Sequence, residues 1–221
     1  MKKERCLMNM KMDKKKMILS GLLFLLFLLF TVLVDRFDVK PIGPEGSLVG
    51  FAGINRYILE IVGMHPFWNT VTNLCGIVSV LVALLFAMIG VFQLIRGKSI
   101  RSVDARIIRL GLFYVILLIF YILFECIVIN HRPIMIEGSL EPSYPSSHVM
   151  LVMCIMLSAV IQVGTMYPEK KYLYAAVKMM AVLLTGITVW GRMLAGVHWF
   201  TDIVGALLIS ASMVVFYWAL L

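Results

Sequence analysis

The chain has 221 residues, 62% hydrophobic and 14% charged, with a mean hydropathy of +0.98. A soluble domain is about half apolar and a quarter charged, so this composition excludes an ordinary water-soluble fold and points to the membrane. The net charge of +8 would suit nucleic acid, but the basic residues sit beside apolar runs, which fits an anionic membrane surface and argues against a nucleic-acid partner.

In chain order, residues 1–16 form a basic N-terminal segment with Lys2, Lys3, Arg5, Lys11, Lys14, Lys15 and Lys16. Residues 17–221 are expected to form one all-α, six-span membrane domain, its helices in a single bundle. A crossing needs about 20 mainly apolar residues. Runs of that kind occupy 17–35, 69–95, 107–130, 148–167, 174–191 and 200–221. The first is too long for the apolar core of a signal peptide, and no small-residue cleavage site follows it, so it is expected to stay as an anchor. The connection over 35–69 is rich in Pro and Gly turn signals, and its NRYILEIVG segment predicts a short interfacial helix. Lys178 interrupts the start of the fifth span. Cys6, Cys75, Cys126 and Cys154 show no pairing pattern or metal spacing and are expected to behave as small hydrophobes.

The loops carry a charge asymmetry. The N-terminus, the 2–3 connection and the 4–5 connection hold fifteen of the twenty Lys and Arg residues. Arg36, Lys40, Arg56, Arg132 and Arg192 lie on the other side. Both termini are therefore expected in the cytoplasm, and connections 1–2, 3–4 and 5–6 outside.

Unusual residues gather at the outward ends of spans three to six. Span three ends with Glu125, then His131, Arg132 and Pro133; span four begins at Ser146, Ser147 and His148. Span five runs out at Arg192, and span six opens with His198 and Asp202. Ionisable residues at membrane depth are costly and point to function. Two guanidinium forks suit phosphate oxygens. PSSH starts a helix, leaving N–H groups free and aiming the positive dipole end at an anion. His198 and Asp202, four apart, share a helix face, where the carboxylate can fix the imidazole's tautomer and free the other nitrogen for attack. His148, from another helix, can protonate a leaving oxygen. Each element alone has a plainer account: a snorkelling arginine, a helix-start salt bridge, an ordinary N-cap. Their joint occurrence on one face favours a site.

These motifs resemble the type 2 phosphatidic acid phosphatase superfamily, which also contains vanadium haloperoxidases. Its signature is Lys, six residues, Arg-Pro; then Pro-Ser-Gly-His; then Ser-Arg, five residues, His, three residues, Asp. Here Arg132-Pro133, Pro145 to His148, and Arg192, His198 and Asp202 match in order and spacing. The resemblance implies His198 as nucleophile, Asp202 as its orienter and His148 as general acid. It also implies Arg132, Arg192, Ser146 and the backbone around Ser147 as phosphate ligands, with no metal and no cofactor. Three positions depart from the signature: Ser147 replaces Gly, Gly191 replaces Ser, and Glu125 stands where the first motif has Lys. Glu125 would repel phosphate if ionised, stay protonated if buried, pair with Arg132 or Arg192, or face a cationic headgroup.

The expected function is a lipid phosphatase in a bacterial plasma membrane, acting at the outer face on a lipid phosphate or diphosphate of the undecaprenyl diphosphate or phosphatidic acid class. The alternative is a lipid-phosphate binding or translocating protein that has lost turnover, for which Glu125 and Gly191 are the motive.

Overall fold

The computed structural model describes residues 12–221; Lys2, Lys3, Arg5, Cys6 and Lys11 lie outside the described residues. Seven helices are present among the described residues: α1 (Lys14–Arg36), α2 (Ala52–Val62), α3 (Phe67–Gly97), α4 (Ala105–Cys126), α5 (Ser147–Met166), α6 (Lys171–Leu194) and α7 (Phe200–Ala219). All but α2 are long and apolar enough to cross a membrane. This is a multi-pass, all-helical bundle, and its six spans overlap the six apolar runs.

Helices α5 and α7 are the most buried and form the centre; α1, α3, α4 and α6 turn most of their apolar surface outward. In lipid the hydrophobic effect does not drive helices together, so small residues and interhelical hydrogen bonds hold them. Ser20 and Ser212 do so between α1 and α7: each hydroxyl donates to the other's carbonyl at 2.9 Å. At Gly205 of α7 an added Cβ would lie 2.5 Å from the Tyr144 ring, so glycine there seats the aromatic. Tyr144 then stacks on Phe27 and shares a 2.8 Å hydrogen bond with Thr31, both on α1.

Helix α2 buries Ala52 and Asn55 and exposes Ile54, Tyr57 and Ile61 on another face, the arrangement of a helix lying in the interface. The third span ends four residues before its apolar run does. Ile127, Val128 and Ile129 are hydrophobic but β-branched, and the chain turns extended at Ile127. It continues into a small hairpin in which His131 pairs with Pro142 and Ile136 with Ser139. Its tip places Glu137 and Gly138 at positive φ. This hairpin brings Arg132 back over the bundle.

The two ends of the bundle differ in charge. The start of α1 meets the end of α7 through Asp13 N–H to Ala219 O at 3.2 Å. Arg109 donates to Leu220 O at the same end, and Asp104, which caps α4, pairs with Arg106. Lys178 sits early in α6 and is exposed, which fits a side chain snorkelling from a continuous helix. The starts of α5 and α7 and the end of α6 lie at the opposite end.

Candidate active site

At that opposite end, α6 finishes with Arg192, and the chain reverses through Gly196, whose φ of +68 suits glycine. The reversal drops His198 just ahead of α7. Asp202 is the third residue of α7, and its carboxylate accepts from the Trp199 N–H at 2.9 Å, as in a capping box. Arg192, His198 and Asp202 are all buried, with at most 3% of their surface exposed.

His198 Nδ1 lies 3.0 Å from the carbonyl of Ser143 and 3.5 Å from Asp202 Oδ2. A carbonyl only accepts, so Nδ1 carries the proton and Nε2 keeps its lone pair. The carboxylate expected to orient the imidazole is thus its second neighbour, and a backbone carbonyl is its first. Nε2 faces Arg192 Nη2 at 3.4 Å. Burial, with Arg192, Arg132 and His148 nearby, holds His198 well below the usual histidine range, so the ring stays neutral.

Arg192 is fixed by residues that the motif does not contain. Its Nη1 donates to Asn69 Oδ1 at 2.7 Å, to Thr72 Oγ1 at 3.3 Å and to Asn73 Oδ1 at 3.4 Å. These three occupy one face of the first turns of α3, and that spacing of polar residues in an apolar run was the available signal. Thr72 also explains Gly191. A Cβ at Gly191 would lie 2.5 Å from Thr72 Cγ2 and 3.2 Å from Trp68 Cε3, which leaves no room for serine.

Asp202 is held from a second side. Asn130 donates to its Oδ1 at 3.3 Å and accepts from the Gly50 N–H at 3.2 Å. Asn55 of α2 donates to Gly50 O and to Thr201 Oγ1, and accepts from Thr201 N–H. A buried polar chain therefore joins α2 to the start of α7. Neither asparagine was singled out from the sequence.

Ser146 is the N-cap of α5 by position, but its hydroxyl caps nothing; its N–H donates to Asp202 O at 3.1 Å. Ser147 and His148 form the first turn of α5, and His148 packs against Gly76 of α3. Arg132 pairs with Glu141 at 3.1 Å and lies close enough to act electrostatically on His198. Glu125 is exposed at the end of α4 and lines the same cavity as Ser147 and His198. It pairs with neither arginine.

Eight buried side-chain polar atoms have no hydrogen-bond partner among the described residues; one of them, Arg132 Nε, faces the Glu141 carboxylate in an ion pair, and four wholly unpartnered ones belong here: Ser143 Oγ, Ser146 Oγ, His148 Nδ1 and Arg192 Nε. Buried polar groups are nearly always satisfied, so this clustering needs an account. The set is cationic and rich in donors, and it suits an oxyanion. No group of three or more His, Cys, Asp or Glu side chains able to hold a metal occurs among the described residues.

Comparison with known proteins gives the family and the fold. No curated protein matches. Among solved structures, the chain is similar to the crystal structure of the first transmembrane PAP2-type phosphatidylglycerolphosphate phosphatase from Bacillus subtilis. Identity is 19% and the TM-score 0.57, covering 90% of this chain and 93% of that one, a likeness of fold. The PAP2 superfamily model matches residues 67–221. That stretch contains every motif residue of the site, and the chain belongs to the PAP2 superfamily.

Proposed function

We propose that the protein is a membrane lipid phosphatase that works through a phosphohistidine on His198. The observation that carries this reading is the set of four unpartnered buried polar atoms around a neutral histidine whose free nitrogen faces an arginine. A phosphate placed there meets Arg132, Arg192, the Ser146 hydroxyl and the uncapped N–H groups at the start of α5.

His198 Nε2 attacks phosphorus, and the bond to the leaving oxygen breaks. Ser143 O and Asp202 stabilise the charge that grows on the ring through Nδ1–H. His148 gives its proton to the leaving lipid alkoxide or phosphate, then takes one from the water that opens the phosphohistidine. The two guanidinium groups supply the positive charge the transition state needs, so the reaction runs without a metal.

The substrate is a lipid phosphate or diphosphate, of the phosphatidic acid or undecaprenyl diphosphate class, with its tail in the bilayer. The site faces the outside of a bacterial plasma membrane, and both termini face the cytoplasm. The excess of Lys and Arg at the opposite end of the bundle supports this orientation. A cysteine at Ser139, in the hairpin, should react with an impermeant reagent on intact cells; protection there would reverse the topology.

The alternative is a lipid-phosphate binding protein without turnover. Gly191 gives it little support, because packing against Thr72 accounts for the missing serine. Phosphate release by purified protein in detergent with chelator separates the two readings. A panel of phosphatidic acid, phosphatidylglycerol phosphate and undecaprenyl diphosphate, run beside His198→Ala, should show release by the wild type only. Binding without release from any lipid would favour the alternative.

A further inference from the structure

Glu125 is an acid at the site whose charge opposes phosphate. It sits at the last turn of α4 and lines a cavity together with Tyr121, Phe124, Ser143, Ser147 and His198. Of the other nearby acids, Asp202 accepts from the Trp199 N–H and from Asn130, and Glu141 is paired with Arg132, while Arg192 is held by Asn69, Thr72 and Asn73. Glu125 therefore has no ion pair or hydrogen bond among the described residues. Ser143, 3% exposed, adds an unpartnered hydroxyl to the same lining. The cavity is thus lined by the buried His198 and Ser143 and by the exposed Glu125 with the half-buried Tyr121 and Phe124.

A carboxylate beside aromatic rings is the chemistry that recognises an organic ammonium group, and a small hydrated metal ion has less use for the rings. We propose that Glu125 is a specificity-determining residue that selects substrates carrying an ammonium group near the phosphate, such as an amino-alcohol phosphate lipid. This rests on the lipid phosphatase reading and narrows its substrate class. The ammonium neutralises Glu125 when the phosphate seats against Arg132 and Arg192, so the acid that would weaken binding of a plain phosphate ester strengthens binding of an aminated one. A plain phosphate ester leaves the carboxylate facing its anion. Discrimination arises from that contrast as much as from the new contact.

The test uses the full-length protein in detergent with chelator. The probes are a long-chain β-aminoalkyl phosphate and the β-hydroxyalkyl phosphate of the same length. Wild type should favour the amine by about tenfold in kcat/KM, as one charge-assisted contact allows. Glu125→Gln should bring the ratio close to one, and Glu125→Lys should invert it. The same ratio is then read as dissociation constants on His198→Ala protein, which needs no turnover. If wild type hydrolyses neither ester yet binding still favours the amine through Glu125, the phosphatase reading falls and the ammonium site stands. If wild type and Glu125→Gln give the same ratio in both readouts, or neither ester binds, the ammonium site is overturned.

Discussion

Gly191→Ser restores the residue that the family signature has beside its arginine, and the structure says that it should harm this protein. The new Cβ would lie 2.5 Å from Thr72 Cγ2 and 3.2 Å from Trp68 Cε3. Ordinary carbon contacts are about 3.5–4.0 Å, so the Thr72 methyl has to retreat by about 1 Å. It cannot do so freely, because the Thr72 hydroxyl is tied to Trp68 O at 2.9 Å and Asn69 O at 3.1 Å. Overpacking of this kind costs about 1–3 kcal/mol. At roughly 2–4 °C per kcal/mol for a chain of this size, the melting temperature in detergent should fall by several degrees. Activity should fall too, since Thr72 and Asn69 hold Arg192. Thr72→Ser removes the methyl and keeps the hydroxyl, so Gly191→Ser/Thr72→Ser should recover most of the loss, a coupling visible in a double-mutant cycle. If Gly191→Ser melts like wild type, or the two substitutions simply add, the packing argument is wrong.

Asn69→Ala removes the shortest contact to the Arg192 guanidinium; a hydrogen bond to a charged group is worth about 1.5–3 kcal/mol, so kcat/KM should drop by about ten- to a hundredfold and the melting temperature should fall by several degrees. Asn55→Ala breaks the tie between α2 and Thr201 and leaves buried groups unpaired, and should lower stability by about 1–3 kcal/mol, read by thermal melting. Ser20→Ala should cost less, about 0.6–2 kcal/mol, because interhelical hydrogen bonds within a membrane bundle are weak on average.

The six spans were legible because a bilayer imposes a length and an apolarity that few other structures meet. The site was legible where it depends on charged residues at fixed spacing: Arg192, His198 and Asp202 meet because the α6–α7 reversal is short. The partners of those residues were harder to read. Ser143 acts through its carbonyl, and a backbone atom's position follows from the path of the chain and not from residue type. Asn69, Thr72 and Asn73 carry no charge and sit in a run that hydropathy reads as the beginning of a span. Asn130 fell within an apolar run whose β-branched end, Ile127 to Ile129, leaves the helix. Of the outcomes open for Glu125, pairing with either arginine is removed by the geometry, because Glu141 and the α3 asparagines already occupy them.

The central claim is that His198 is the nucleophile, and the most direct test is to trap the covalent intermediate. The protein would be mixed with an activated aryl phosphate, whose leaving group needs no proton from His148, then quenched and mapped by mass spectrometry. A phosphoryl group on His198 is expected in the wild type. It should accumulate in His148→Ala, which lacks the base for the second step, and be missing from His198→Ala. Phosphate release by the wild type with no modified histidine, or undiminished release by His198→Ala, would contradict the account.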